Sequence, residues 1–226
     1  MTNASAIASL GALAGALGLD TTAALQVMVS EPLVAGTLAG IVVGDPALGI
    51  VVGAALQLVW VGALPVGAAP FPDAAPATVA GVGGAFLLSR AGVLPGVAVA
   101  SAMLAALGAG VVGQRATVWL RRRNEGLAAM AERRAARGDP GGVRAAVALG
   151  VGTRFALSGA LAVTVMAALS IASRPLSGLS ARGEFSPMFW AAPVGACAMV
   201  LAARGNLERL LLGAGFAAGL ALVAAT

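Results

Sequence analysis

The chain has 226 residues, 59% of them hydrophobic and only 10% charged, and contains no His, Lys or Tyr. With a mean hydropathy of +0.95, it lacks the charge to clothe a soluble domain of this size in a polar shell, so the composition indicates an integral membrane protein. Its 32 Gly fit helices packed closely in lipid, where small side chains let backbones approach. Continuous rather than alternating apolar runs argue against a β-barrel.

In chain order, apolar runs fall at about 4–19, 33–44, 47–71, 74–89, 91–114, 145–172, 186–203 and 210–225. The first basic side chain is Arg90, so no basic region precedes the first run. A cleaved signal peptide is not indicated, and the first segment is expected to stay. Run 33–44 is bounded by Pro32 and by Asp45-Pro46, and run 74–89 begins just after "AAPFPDAAP", where prolines cannot continue a helix. Several runs are shorter than the roughly 20 residues a spanning helix needs. They are expected to be half-helices or re-entrant hairpins, which transporters use to build binding sites. Gly36, Gly40 and Gly44 recur every fourth residue, as do the pairs Gly11/Gly15 and Gly49/Gly53; in so Gly-rich a chain only the triple carries weight as a packing strip. Gly108-Ala-Gly110-Val-Val-Gly113 matches a dinucleotide fingerprint, but no strand precedes it and no βαβ unit surrounds it, so no nucleotide is expected.

Arg115 to Arg144 holds eight Arg against three acids, a net +5, while the rest of the chain balances. A basic segment beside apolar spans marks the cytoplasmic side. Residues 121–144 are expected to be a solvated cytoplasmic loop or an anionic-lipid contact. A nucleic-acid partner is not expected, since no interleaved aromatics could stack bases. The single Cys197 lies in "VGACAMVLAA" and reads as a small hydrophobe. The expected fold is thus all-α and polytopic, with several transmembrane helices and broken or re-entrant hairpins. Residues 1–114 form the N-terminal membrane region with the candidate site, 115–144 the basic cytoplasmic loop region, and 145–226 the C-terminal transmembrane helices.

The first 89 residues carry Asp20, Glu31, Asp45 and Asp73 and no basic side chain to pair with them. Intramembrane carboxylates are functional candidates by default. Asp20 and Glu31 read as helix caps at interfaces. Asp45, in "GDPALG", reads equally as the cap of the next helix or as a site carboxylate. Gln57 lies mid-run in "GAALQLVWVG", where an amide needs a partner, and Trp60, three residues on, shares its helix face. An amide and a carboxylate beside an aromatic ring suit a sugar or another small polar solute; alternatively, Gln57 and Asp73 bond to backbone groups freed at the break. No metal site and no cofactor are expected.

The stretch from Glu31 to Phe86, with its Glu-Pro-Leu entry, "GIVVGD", "GAALQL" and above all "GAAPFPDAA", resembles the enzyme IIC permease subunit of the mannose/fructose/sorbose class of bacterial phosphotransferase systems. "FSPMFWAAPVGACAMVLAARGN" is a weaker match. Members of the class are usually longer, so a shortened version is expected. The resemblance implies a multi-pass subunit of the bacterial cytoplasmic (inner) membrane. It would bind and translocate a hexose-type sugar, pair with a homologous IID membrane subunit, and form a trimer of C–D pairs. Soluble IIA and IIB carriers would bring the phosphoryl group. The chain agrees by omission: without His, and with one apolar thiol, it carries no phosphocarrier residue. Family members have Glu or Gln at the position of Gln57, which the resemblance makes a sugar contact, and Asp73 becomes the acidic residue of the hairpin tip; Trp60 and Asp45 complete the expected substrate-binding set. Gln57→Ala and Asp73→Ala are each expected to abolish uptake and leave the complex assembled. The competing functions are a facilitator that leaves its solute unmodified and a non-transporting membrane partner.

Overall fold

Proline and glycine punctuation, legible in the sequence, sets most helix ends. A computed structural model of the protein describes residues 2–21, 23–24, 26–61 and 71–180, with side chains as far as 177 in the last stretch. Among the described residues six helices form: α1 (Asn3–Asp20), α2 (Pro32–Val43), α3 (Pro46–Trp60), α4 (Ala74–Arg90), α5 (Pro95–Ala135) and α6 (Pro140–Ser180). There is no strand among the described residues, as an all-α chain requires. Cys197 and the runs 186–203 and 210–225 lie outside the described residues.

The Thr2 side chain caps α1 by accepting the Ser5 N–H. Pro32, Pro46 and Pro95 each stand in a first helical turn, where a missing N–H costs nothing and the fixed φ favours the helix. α2 ends at Gly44, which takes φ +81°, a left-handed conformation open to glycine. The Asp45 N–H then closes back on the Gly40 carbonyl at 2.8 Å. Gly44 is therefore a helix stop, and the packing strip of α2 consists of Gly36 and Gly40.

Those two glycines lie directly on α3. A Cβ on Gly36 would stand 2.6 Å from the Gly49 carbonyl oxygen and 2.7 Å from the Gly53 Cα, and one on Gly40 would stand 2.8 Å from the Gly49 Cα. Backbone meets backbone, so α2 and α3 form a tight helical hairpin. Gly11 and Gly15 do the same work between α1 and α6: a Cβ on Gly15 would meet Phe155 at 2.9 Å, and one on Gly159 would meet the Gly11 carbonyl at 2.8 Å. The α1 pair is thus as much a packing device as the α2 strip. α4, built from Ala, Gly, Val and Thr and buried along nearly its whole length, is the central element. It packs against every other helix, with Val79 and Val82 in one core with Leu10, Val52, Leu56 and Met166.

Residues 115–144 are not a loop. α5 continues to Ala135 and α6 starts at Pro140, because "RRRNEGLAAMAERRAA" is rich in good helix formers. The reversal is confined to residues 136–139, where Gly138 has φ +65° and the Asp139 carboxylate accepts the Gly142 N–H at 2.9 Å. Each of these 41-residue helices is about 62 Å long, twice the roughly 30 Å of a bilayer's hydrocarbon core. α5 has an apolar half and a charged half, whereas α6 carries only Arg144, Arg154 and Arg174 along an apolar helix; the ends of the two helices nearest the turn, their arms, are tied by Arg123 donating to the Thr153 hydroxyl at 3.1 Å. Among the described residues, α5 and α6 are the two helices long and apolar enough to cross a membrane, and α2 and α3 are shorter apolar helices. Exposed Ile41, Val51, Leu58, Val112 and Ile171 give several helices an apolar outer face suited to lipid.

Candidate functional site

The C-terminal half of α3 brings Gln57 and Trp60 to the start of α2. Gln57 Nε2 donates to Glu31 Oε2 at 2.8 Å, and its Oε1 accepts the Leu33 N–H at 3.2 Å. Glu31 occupies the N-cap position of α2 but makes no side-chain cap bond; its carboxylate turns to the amide instead. Beside this pair lies a cavity of about 250 Å³, lined by Asp20, Met28, Glu31, Gln57, Trp60 and Phe71 among others. Trp60 is 7% exposed, and its indole N–H has no partner among the described residues. Drug-sized ligands occupy pockets of about 300–1,000 Å³, so this space suits a small solute. Its wall offers two carboxylates, two amides, an indole donor and two aromatic faces, the donors and acceptors a polyhydroxyl compound needs.

One side of the cavity is the connection between α1 and α2, where Gln26 and Met28 take φ of +55° and +66°, conformations uncommon for side-chain-bearing residues. Asp20 holds this backbone: its Oδ1 accepts the Val27 N–H at 2.8 Å and its Oδ2 the Ser30 N–H at 3.0 Å. Asp20 is the last residue of α1, so it fixes the wall of the cavity rather than capping a helix start.

Asp73 takes a different role from the one expected of a hairpin-tip sugar contact. It precedes α4 at the N-cap position without capping, and its neighbours Phe71, Pro72 and Ala74 line the cavity while it does not. The carboxylate is bidentate to Arg154 of α6, Oδ1 to Nη2 at 2.8 Å and Oδ2 to Nη1 at 2.9 Å, with both side chains 4% exposed. Nor does Asp73 bond through its side chain to freed backbone. Arg154 further donates from Nε to the Gly18 carbonyl at 2.9 Å, from Nη1 to the Thr117 hydroxyl at 2.9 Å and from Nη2 to the Thr21 hydroxyl at 3.1 Å. All five guanidinium N–H groups are thus engaged, which is what makes a buried ion pair tolerable. Glycines permit the approach: a Cβ on Gly113 would collide with the Asp73 Cβ at 2.5 Å, and one on Gly110 with the Trp60 ring at 2.9 Å. The false nucleotide fingerprint is the groove in which these residues rest.

Asp45 does not join the site. Its carboxylate accepts the Leu48 N–H at 2.9 Å as the N-cap of α3, and Gln57 lies twelve residues on, about 18 Å away along the helix. Of the four expected residues, the structure brings Gln57 and Trp60 together at the cavity, puts Asp73 behind its wall and leaves Asp45 at the far end of α3. Sequence reasoning missed Arg154; for Glu31 it gave the N-cap position but not the side-chain bond to Gln57. The signal for Arg154 was present, a single charge within the apolar run 145–172.

Comparison with known proteins places this architecture. A family model described as "PTS system sorbose-specific iic component" matches residues 4–178, from α1 into the last turn of α6. A putative N-acetylgalactosamine permease IIC component 2 of Escherichia coli K12 is 41% identical over 95 residues, 42% of this chain and 68% of that protein. The mannose-specific EIIC component of the PTS system from the same strain is 47% identical over 49 residues, 22% of this chain and 18% of that protein. The matched part therefore spans about two thirds of the first relative and under a fifth of the second. Among solved structures, one described as a membrane protein has a TM-score of 0.67 at 23% identity, covering 96% of this chain and 86% of the other. The mannose transporter ManYZ in complex with microcin E492 has a TM-score of 0.61 at 20% identity, covering 98% and 96%. At these identities the likeness is one of fold. This membrane protein belongs to the family of sorbose-specific IIC components of PTS systems.

Proposed function

We propose that the cavity at Gln57 is the sugar site through which this chain serves as the IIC permease subunit of a phosphoenolpyruvate-dependent sugar phosphotransferase system. Family membership makes the chain a permease subunit of such a system. The observation that carries the site is the convergence of the Gln57–Glu31 hydrogen bond and the Trp60 indole N–H, unpartnered among the described residues, on one cavity of hexose scale. A hexose packs an apolar face on an aromatic ring and exchanges hydroxyl bonds with the amide and carboxylates. This chain binds and orients the sugar. Without a His, it leaves the phosphoryl group to a soluble IIB carrier charged by IIA.

A homologous IID membrane subunit completes the transporter in this reading, with C–D pairs associating as a trimer. The chain crosses the bacterial inner membrane several times, with α2 and α3 as a re-entrant hairpin and the arms of α5 and α6 in the cytoplasm. The basic content of those arms supports that orientation.

The test is uptake by the chain co-purified with its IID subunit and reconstituted in vesicles, given labelled hexoses and phosphorylated IIB inside. Sugar phosphate should accumulate in the lumen. Free sugar equilibrating without phosphorylation would turn the reading to a facilitator, and no uptake of any sugar would turn it to a non-transporting partner.

A further inference from the structure

The outer face of α5 changes character along its length. The stretch from Pro95 to Gln114 covers about 30 Å, the thickness of a bilayer's hydrocarbon core, so Arg115 stands where the lipid tails end. The helical repeat puts Gly108, Val112, Arg115, Trp119, Arg122 and Arg123 on one face, and all six are exposed. Trp119 is 54% exposed, and the Arg123 guanidinium lies over its ring, 5.8 Å from the centroid, in cation–π range. Arg115 and Arg122 stand about one turn before and one turn after Trp119, and their side chains have no ion pair or hydrogen bond among the described residues. Glu125 and Glu132 fall outside this face, and Glu125, although three residues after Arg122, makes no ion pair with it. Arg121 turns the other way, toward the space between α5 and α6, and takes no part.

From this we infer that the face of α5 around Arg115, Trp119 and Arg122 is a binding site for an anionic phospholipid. A phosphate at the level of Trp119 lies within the length of an extended arginine side chain from both Arg115 and Arg122, and guanidinium groups pair with phosphate through strong, often bidentate, charge-assisted bonds. Indole rings concentrate at this depth of a membrane, and Arg123, held by the ring and by the Thr153 hydroxyl, closes one side. On the membrane side of Arg115, Gly108 has nothing within 4 Å of its missing Cβ and leaves a notch beside exposed Val112 for an acyl chain. The occupant is therefore a lipid and not a soluble phosphate, because half of the face is apolar and lies at the depth of the tails. A zwitterionic lipid offers the same phosphate but brings its own ammonium against the arginines, so net charge selects among headgroups. Nothing in this site depends on which sugar the chain carries.

The test is native mass spectrometry of the full chain in detergent, given equal amounts of phosphatidylglycerol and phosphatidylcholine with matched acyl chains. Phosphatidylglycerol should be retained about tenfold over phosphatidylcholine, and its binding should weaken about fivefold in each of Arg115→Gln and Arg122→Gln. Arg133→Gln removes a charge from the same side of α5 about 16 Å beyond Arg122, more than a Debye length away, and should change binding by less than about twofold. All three side chains are exposed, so the melting temperatures should stay as in the wild type. Excess sn-glycerol 3-phosphate, which has the phosphate without the chains, should not displace the lipid. Equal retention of the two lipids, unchanged binding in both Arg115→Gln and Arg122→Gln, or an equal loss in Arg133→Gln would overturn the inference and leave an unselective lipid boundary. Displacement by sn-glycerol 3-phosphate would overturn it in favour of a soluble phosphate, and loss of the lipid on addition of the IID subunit would make this face a protein contact.

Discussion

The Asp73 carboxylate and the Arg154 guanidinium meet through two parallel bonds of 2.8 and 2.9 Å, although 81 residues of chain separate them. The pair joins the start of α4 to the middle of α6, and through Gly18, Thr21 and Thr117 it also holds the end of α1 and the length of α5. Removing Asp73 alone would strand a buried cation. Asp73→Ala should therefore lower stability by about 3–5 kcal/mol, and lost uptake in that variant would report misassembly before sugar binding. The double change Asp73→Leu/Arg154→Met should recover most of the loss, because it removes both charges together. Thermal melting of the wild type, Asp73→Leu, Arg154→Met and the double variant in detergent gives the coupling. Double-variant instability equal to the sum of the single effects would show that the two residues are not coupled.

Gln57→Ala removes two bonds from the cavity wall but no residue of the packed core. Sugar uptake is expected to fall about tenfold or more while the melting temperature changes little. Glu31→Gln, which keeps a partner for the amide and drops the charge, should have the smaller effect. Unaltered uptake in both would remove the sugar from this cavity.

Gly49→Val tests the hairpin of α2 and α3. A Cβ on Gly49 would stand 2.8 Å from the Gly40 Cα and 3.0 Å from its nitrogen, and backbone cannot yield as a flexible side chain does. A loss of about 1–3 kcal/mol is expected from such overpacking. Gly126→Ala, where nothing lies within 4 Å, should be neutral or stabilise α5 by up to about 1 kcal/mol. Equal melting temperatures for these two variants would contradict the close contact.

At the tip of the arms, the Gly142 N–H and then the Arg134 guanidinium hold the Asp139 carboxyl below its ordinary value of 3.8. A depressed folded value means that the contribution is present above the unfolded pKa and lost as pH falls through the folded one. A spin label at Arg137→Cys, in a Cys197→Ala background, should stay ordered through neutral and mildly acid pH and loosen only below the ordinary aspartate range. In Asp139→Asn it should be loose throughout, with no such transition.

Orientation is open to a direct measurement. With Cys197 replaced, a cysteine at Ala128 should react with a membrane-impermeant maleimide in inside-out vesicles and not in right-side-out ones. The opposite pattern would put the arms outside the cell and overturn the cytoplasmic placement of the basic segment.

Runs bounded by Pro, Gly or Asp were legible to within a residue or so: 4–19, 33–44 and 74–89 became α1, α2 and α4. Their apolar stretches are continuous and their breaks have backbone causes. The charged end of α5 was read as a loop because its Arg and Glu mark exposure to solvent, which a helix and a loop share, although its good helix formers pointed to a helix. Gln57 and Trp60 could be joined in advance because the helical repeat alone puts them on one face. Asp73 could not, since its partner is fixed by tertiary packing and no local pattern points to Arg154. For Asp45 both readings were open, and the bond to the Leu48 N–H decides for the cap.

The distance in sequence between Asp73 and Arg154 also sets an order of events during synthesis. When the first four helices have left the ribosome, the carboxylate at the head of α4 has no counter-charge, because α6 has not yet been translated. A nascent chain stalled before residue 154 therefore carries an unpaired acid where the finished protein has a neutral pair. The last described helix thus brings the one charge that neutralises Asp73, and its arrival lets α1, α4 and α5 settle against one another.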